Sequence, residues 1–536
     1  MHGFFGSYRK EMDWDLSAFA DKSFIKREYK TNPFYLTQIT LPKFLNDKYF
    51  FEKDDCFLAI EGVLFVADTP AKAIERYRQG ETTFWDSWRG SFAGILYDER
   101  TDTLLLFNDH IGSHMLFYAN TSECFSFSSD LRLLSKAIGL YNFDKTFIQT
   151  ILKTGCNNNN KTIIAGIRRI TAGEYILVRG EEMHIAQYHC FDNTPWSYDE
   201  ARMLVNTNHL FRQAVERVVK KNEQEGLLQF YPLSGGLDSR MAQWVAHQVT
   251  KQPITNFTYS QRGHYDHLIP QEISRFLGNE WLFMPLDGGE YLTDIDRVAT
   301  ESHWLVNYMG PIEISTFAKQ QTWEQIGVVL TGVNGDNIFA TETDNRHEIA
   351  RIYTQGFNGN SLGSPLVLQY YTESYSPFTD VDLLDYVLHV PTIMRRNYYF
   401  YDRWILTCYP TAANWHHKHE TIGRRHKMVT IAGRNIPMKD VPKRIIMSIL
   451  KRLGIYDAYR IQGDSMHPYE DWVKENPQIT KTLDNYYIAN KHFLQDETLI
   501  ADCEEKMRIG SVMEKGKVLT ILSALKAYAD ICEPNN

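Results

Sequence analysis

Hydrophobic positions fall into two textures along this chain. Over roughly the first 190 residues they come in short apolar or alternating runs: CFLAIEGVLFVAD (56–68), SFAGILYD (91–98), TLLLFND (103–109), HMLFYA (114–119) and CFSFSSD (124–130). Charge, Gly or Asn bounds each run, a pattern that predicts strands of a layered sheet. TPAKAIERYRQG (69–80) has helical amphipathic spacing and a Gly stop. GIRRITAGEYILVRGEEMHIAQYH (166–189) predicts a strand pair around Ala-Gly and Arg-Gly turns. CFDNTPWSYDEA (190–201), with Pro, Asn and Asp, predicts a domain boundary.

After that boundary the texture changes. DEARMLVNTNHLFRQAVERVVKKN (199–222) predicts a long helix. LLQFYPL (227–233), LDSRMAQWVAHQVT (237–250), ITNFTYS (254–260), LIPQEISRFLG (268–278) and WLFMPL (281–286) then alternate strand with helix, and a further helix leads to GVVLTGV (327–333). Near-continuous apolar strands alternating with helices predict a parallel sheet covered on both faces. Beyond about 340 the pattern is helical, with TETDNRHE (341–348) and QGFNGNSLGS (355–364) expected as loops and NNNN (157–160) as an exposed turn. The fold class expected is α/β plus α+β. Residues 1–195 are expected as a β-rich layered unit, and residues 200–536 as a parallel-sheet domain with a helical extension.

Composition narrows the function classes. The 536 residues, 43% of them hydrophobic, can build more than one core, which excludes disorder over most of the length. A net charge of −9 argues against sequence-blind nucleic-acid binding, which rests on phosphate neutralisation. Seven Cys with no CxxC argue against a zinc ribbon and a disulfide framework, and suit free thiols in a reducing cytoplasm. MHGFFGSYRKEMDWD has no signal-peptide pattern, and no apolar run reaches the ~18 residues of a membrane span. The expectation is a cytoplasmic protein with no membrane span.

One string carries the chemistry: Leu233-Ser234-Gly235-Gly236-Leu237-Asp238-Ser239, between an apolar strand and a helix. A Gly-rich turn at a strand end exposes backbone N–H groups, and the next helix points its positive end at the same space, which makes an anion cradle. Ser234 and Ser239 add donors, and Asp238 can hold Mg²⁺ against phosphate oxygens. Neither GK[ST] nor GxGxxG is present, so this is no Walker A loop and no dinucleotide fingerprint. Gly332-Val333-Asn334-Gly335-Asp336 ends a later strand, and ligands of open α/β sheets sit at the carboxyl ends of strands, so Asp336 can share a metal and phosphate site with Asp238. His264-Tyr265-Asp266-His267 and the triplet His416, His417 and His419 are read as non-metal sites, and Arg424–Lys427 and Lys439–Arg444 as solvated faces.

SGGLDS resembles the PP-loop of ATP pyrophosphatases, and most of the chain resembles the asparagine synthetase family. FAGILYDERTDTLLLFNDHIGSHMLFYA and TIIAGIRRITAGEYILV resemble its glutaminase domain, GVNGDNIF its GGDE-type loop, and ESYSPFTDVDLLDYVLHVP a downstream Glu-containing segment. The resemblance implies an amidohydrolase-like sandwich followed by a synthetase domain of the adenine nucleotide α-hydrolase type. It implies ATP and Mg²⁺, adenylation of a carboxylate with release of pyrophosphate, and displacement of AMP by a nitrogen nucleophile. ATP would meet the whole SGGLDS loop from Leu233 to Ser239, with Thr258 at the end of the next strand and Gly332; Asp238 and Asp336 would hold the metal.

The departures are informative. The family's glutaminase needs a nucleophilic Cys after the initiator Met; here position 2 is His2, which cannot form the glutamyl thioester. The glutamine loop reads Ile60-Glu61-Gly62-Val63, and the Arg-Asp pair reads Asn108-Asp109. The expectation is a degenerate glutaminase-like domain. In the synthetase part the Glu of the GGDE-type loop is Asn337; Glu373 of ExRxPF is kept while its Arg is Tyr375. The family's adenylate-stabilising Lys reads as Arg403 in YDRWIL, with Lys418 as a substitute. Catalytic roles fall on Glu373, to orient or deprotonate an amine, and on Arg403.

The reaction expected is ATP-dependent, AMP-forming amide synthesis. Its substrate is a small molecule or peptide bearing a carboxylate, and its nitrogen comes from ammonia or a substrate amine. Peptide macrolactam formation and amidation of a sugar carboxylate stay open, as do a tRNA-modifying PP-loop enzyme, a non-catalytic scaffold and a homodimer.

Overall fold

The computed structural model describes residues 2–19, 23–197, 199–341, 345–415 and 466–532, with 422, 428–431, 434–437 and 442 between them. Lys418, His416, His417, His419, the run Arg424, Arg425, His426 and Lys427, and the basic residues Lys439, Lys443 and Arg444 lie outside the described residues.

The N-terminal part is two six-stranded antiparallel sheets. The strands are β1 (Gly3–Tyr8), β2 (Ile25–Lys30), β3 (Phe34–Thr40), β4 (Phe50–Lys53), β5 (Cys56–Val66), β6 (Arg89–Asp98), β7 (Thr103–Asn108), β8 (Phe117–Asn120), β9 (Phe125–Ser128), β10 (Arg168–Arg169), β11 (Glu174–Arg179) and β12 (Glu182–Gln187). The orders are β10-β8-β9-β1-β3-β2 and β12-β11-β7-β6-β5-β4. Alternate residues explain the layering. Phe4, Phe34, Phe57, Ile95 and Phe127 meet between the sheets, while Leu58, Trp85, Trp88, Leu105 and Phe107 bury the outer face of the second sheet under helix α1 (Pro70–Arg78). Strand β5 is buried on both faces for this reason, and so reads as a continuous apolar run rather than an alternating one. The sequence reading missed β1, which lies fully buried between β3 and β9.

The asparagine tract is a turn exposed at Asn158 and Asn159 but anchored from inside by its first residue. Asn157 is fully buried and its amide donates to Asn159 O and Lys161 O at 2.9 and 2.7 Å, closing a turn that Arg169 also binds. Helices α2 (Leu131–Ile138) and α3 (Lys145–Thr154) cover the first sheet together with the C-terminal helix Val512–Cys532.

The remainder is built on parallel strands. β13 (Gln229–Pro232), β14 (Ile254–Ser260) and β15 (Glu280–Pro285) pair in sequence order, and β16 (Val329–Leu330) pairs in parallel with β17 (Ser374–Tyr375). Helices α4 (Glu200–Glu225) and α5 (Leu237–Val249) press Val215, Val219, Met241 and Val245 onto one face, and Phe317 and Trp323 cover Phe230 and Phe257 on the other. Helix α6 (Tyr265–Leu277) joins β14 to β15. The two segments expected as loops are largely helical turns: Asn345–Arg351 is α-helix, Ile352–Phe357 a π-turn and Gly363–Leu368 α-helix. In the first, Glu348 is buried and accepts from Arg395 Nη1 and Nη2, each at 2.7 Å, so its charge is paired inside the protein rather than solvated in a loop. No helix among the described residues is long and apolar enough to cross a membrane.

Candidate functional site

The site begins where β13 ends. Leu233 N–H still donates to Phe257 O at 2.9 Å, after which the chain turns through Ser234–Gly236 and α5 starts at Leu237. No side chain caps this helix at Gly236, so its first-turn N–H groups and positive dipole end face the turn. The turn is tied from within. Ser234 N–H donates to Ser239 Oγ at 3.0 Å, the two hydroxyls are 2.9 Å apart, and Gly236 N–H reaches Ser234 Oγ at 3.2 Å. Gly235 N–H donates to Asp266 Oδ1 at 2.7 Å, and a Cβ at Gly235 would stand 2.7 Å from the Tyr265 ring. Buried Arg240 grips the loop from behind, donating to Gly235 O at 3.1 Å and to Trp415 O at 3.1 Å.

The Gly332–Asp336 loop closes on the first turn of α5. A Cβ at Gly332 would lie 2.4 Å from Ser239 N, and one at Gly335 would lie 2.4 Å from Asp238 Cγ, so both glycines are there for close approach. Asp336 N–H donates to Asp238 Oδ2 at 2.9 Å, and Tyr401 O–H donates to Oδ1 at 2.8 Å. Asp238 and Asp336 thus share one corner at the N-terminus of α5. Burial, and after it the charge of Asp336, pushes the Asp238 carboxyl up to about 7 against the pull of its two hydrogen bonds. Converging hard oxygens that repel each other are the donor set Mg²⁺ takes, beside backbone N–H groups suited to phosphate.

Other expected site residues lie elsewhere. Thr258 is a buried tie between strands: its hydroxyl donates to Leu233 O at 2.7 Å and accepts from Trp281 Nε1 at 3.0 Å. Leu237 belongs to the core. Arg403 is half-exposed, its Nε 2.7 Å from Glu200 Oε1, because two helical residues away its neighbour Tyr401 takes the inward face toward Asp238. The periodicity of YDRW carried that signal. Asn337 is bound by Arg351 Nη1 at 3.1 Å and donates to Asn334 Oδ1. In the HYDH string, His264 caps α6 and Asp266 holds Gly235; among the described residues it forms no metal group.

Glu373 lies in a buried ionic chain between the two halves of the molecule. His114 Nε2 pairs with its Oε2 at 3.1 Å, and Lys48 Nζ stands 3.8 Å from Oε1 and 3.4 Å from Glu61 Oε1. Glu61 in turn meets His2 Nδ1 at 3.2 Å and accepts from Thr40 and Gln38 at 2.8 and 2.9 Å. Burial drives the Glu373 carboxyl up, but His114, Lys48 and His2 outweigh it and hold it below the usual range; the same contest leaves Glu61 at about 2. A carboxylate held ionised this firmly is a weak proton acceptor. Beside it, buried Lys43 donates to Trp323 O, Ile326 O and Thr372 Oγ1, each at 2.8 Å. Sequence reading found His2, Glu61 and Glu373 but neither Lys48 nor His114, whose partners are remote in sequence.

Between the halves, a pocket opens beside the Gly332–Asp336 loop, lined among others by Ser91, Ser113, Thr331, Asn334, Gln369 and Ser376. Ser376 Oγ donates to Val333 O at 2.6 Å, and Gln369 Nε2 to Ser113 O at 2.7 Å, so the lining links both halves.

Comparison with known proteins gives two domain matches. Residues 67–189 match a glutamine amidotransferase domain and residues 206–364 match asparagine synthase. Among solved structures, the chain is similar to glutamine phosphoribosylpyrophosphate amidotransferase from B. subtilis complexed with ADP and GMP, at 12% identity and TM-score 0.22, over 43% of this chain and 53% of that one. It is also similar to a structure of the allosteric regulatory enzyme of purine biosynthesis, at 10% identity and TM-score 0.22, over 49% of this chain and 60% of that one. The chain therefore spans between half and two thirds of these chains. No curated protein sequence matches.

Proposed function

Taking as premise the asparagine synthetase family, which the two domain matches support in this order on one chain, we propose that the protein makes an amide bond at the expense of ATP, releasing AMP and pyrophosphate. The observation that carries this reading is the 2.9 Å bond from Asp336 N–H to Asp238 Oδ2, which sets two carboxylates at the uncapped N-terminus of α5. The first-turn N–H groups of α5 and the hydroxyls of Ser234 and Ser239 hold the phosphates; Asp238 and Asp336 hold Mg²⁺. When bound, Mg²⁺ offsets the charge of the triphosphate and of the departing pyrophosphate. The pocket of Thr331, Asn334 and Ser376 receives the acyl substrate, whose carboxylate oxygen attacks the α-phosphorus as pyrophosphate leaves. An amine nitrogen then attacks the acyl carbon, giving up a proton, and AMP departs.

Glu373 acts as a positioning residue. Its charge is committed to His114 and Lys48, and the segment after it, Ser374–Ser376, lines the pocket. The nitrogen is free ammonia or an amine of the substrate, not glutamine. At the position where a thiol would be needed, His2 is buried against Glu61 with Nε2 free of hydrogen bonds. Nucleotide products from Mg·ATP, a panel of carboxylates and an amine test the reading. AMP and pyrophosphate equal to the amide formed are expected, falling more than about 100-fold in Asp238→Asn. ADP and phosphate, or full turnover in that variant, would overturn it.

A further inference from the structure

The chain carries a second concentration of metal-ligating atoms, distinct from Asp238 and Asp336, whose His110 also lines the pocket between the halves. Asp86 comes from the turn Phe84–Ser87, His110 from the loop after β7, and His189 from just beyond β12. His110 Nε2 is 3.1 Å and His189 Nδ1 is 3.9 Å from the same atom, Asp86 Oδ1, and the three ligand atoms lie within 4.8 Å of one another. Bonds of about 2.0–2.2 Å around a tetrahedral zinc place its ligand atoms about 3.3 Å apart, inside the range seen here. The two imidazoles meet edge to face with centroids 4.8 Å apart, an arrangement that turns separate ring nitrogens toward one carboxylate oxygen.

Two features separate this group from a surface ion pair. His110 is almost fully buried while Asp86 is half-exposed, so a bound ion would have protein on one side and an open position on the other. His189 Nε2 is buried and makes no hydrogen bond, yet Asp385 Oδ1, on the helix Val381–Leu388 of the other half, stands 3.5 Å away. A metal on Nδ1 fixes the proton on Nε2, and a carboxylate behind a ligating histidine is the usual outer partner. Arg89 pairs with Asp382 at 2.8 Å and donates to the Asp86 carbonyl at 3.1 Å, which leaves the Asp86 carboxylate to the histidines.

We propose that Asp86, His110 and His189 form a binding site for one zinc-class divalent ion, with Asp385 as its outer carboxylate across the junction of the two halves. Two imidazoles and one carboxylate with an open position suit zinc or a similar borderline ion, and select against Mg²⁺, which prefers an all-oxygen shell.

The test uses the full-length protein freed of metal by chelation, titrated with Co²⁺ in excess Mg²⁺ so that the Asp238–Asp336 corner does not report. Expected are one equivalent of Co²⁺ with visible absorption bands, displaced by one equivalent of Zn²⁺. The His110→Ala/His189→Ala variant loses the bands, and the milder His189→Gln weakens binding while keeping the near-ultraviolet dichroism of the native fold. Asp385→Asn keeps the stoichiometry and weakens the affinity about 10–100-fold. Absence of a stoichiometric Co²⁺ complex in the wild type, or unchanged spectra in His189→Gln and the double variant, would overturn the proposal. Neither result depends on ATP turnover, so this site and the synthetase reading fail separately.

Discussion

At the scale of single residues, the synthetase corner depends on contacts that leave no spare volume. Gly335 is the sharpest case, because the methyl group of alanine would overlap the Asp238 carboxylate, itself held by Asp336 N–H and Tyr401. Gly335→Ala is therefore expected to lower AMP formation at least about 100-fold while shifting the melting temperature by only a few degrees, as for a clash confined to this loop. Activity within a few-fold of wild type would mean that this loop does not need its present approach. Tyr401→Phe removes one hydrogen bond to a charged oxygen, a loss of about 1.5–3 kcal/mol, so AMP formation should fall roughly 10–100-fold. Arg403→Gln, by contrast, touches a half-exposed pair and is expected to leave the rate within about two-fold. The pair Tyr401 and Arg403 also shows what sequence reading can lose: a charge in the right segment attracts attention, while helix phase decides which neighbour points inward.

At the scale of elements, the chain His2–Glu61–Lys48–Glu373–His114 joins the residue before β1, β5, the segment before β4, the residue before β17 and the loop before β8. Its members are sealed from water, so losing one leaves a buried charge without its partner. Lys48→Met is expected to destabilise the protein by about 3–5 kcal/mol in a denaturant titration, well beyond a surface ion pair. A cost below about 1 kcal/mol would show that the chain is not closed as described.

The two histidines in the chain should respond to pH with opposite sign. For His114, burial pushes the imidazole down, but the charge and hydrogen bond of Glu373, with the charges of Asp109 and Glu61, together outweigh it and raise it above its ordinary value. Its contribution is then full below the unfolded value and lost as pH rises through the folded one. His2 is lowered, chiefly by burial, so stability falls as pH drops below its unfolded value and the unfolded chain takes up the proton. Stability curves for His114→Gln and His2→Gln between pH 5.5 and about 8.5 check this. The deficit of His114→Gln should shrink toward high pH and that of His2→Gln toward low pH; parallel curves would contradict the assignment.

At the scale of the whole molecule, much of the architecture is legible in the sequence and the join between its halves is not. Local signals suffice for SGGLDS: an apolar strand, a Gly turn and a helix are neighbours along the chain, so the loop's place follows from pattern alone. The two sheets follow from runs such as TLLLFND, and the parallel strands from their alternation with helices. β1 escapes because GFFGSY has neither alternation nor a bounding turn, and Asn157 is misplaced because asparagine suits turns whether buried or exposed. The ionic chain cannot be found this way, since His114 and Glu373 are 259 positions apart and only folding brings them within 3.1 Å.

That join bears on the source of nitrogen, because it holds His2 where a glutaminase would carry its thiol. The direct measurement is release of AMP and pyrophosphate from Mg·ATP and carboxylate substrates in three arms: ammonium, substrate-borne amine and glutamine. AMP, pyrophosphate and amide are expected in one of the first two arms, with glutamine adding nothing and yielding no glutamate. Amide formation that depends on glutamine and releases an equal amount of glutamate would contradict this expectation.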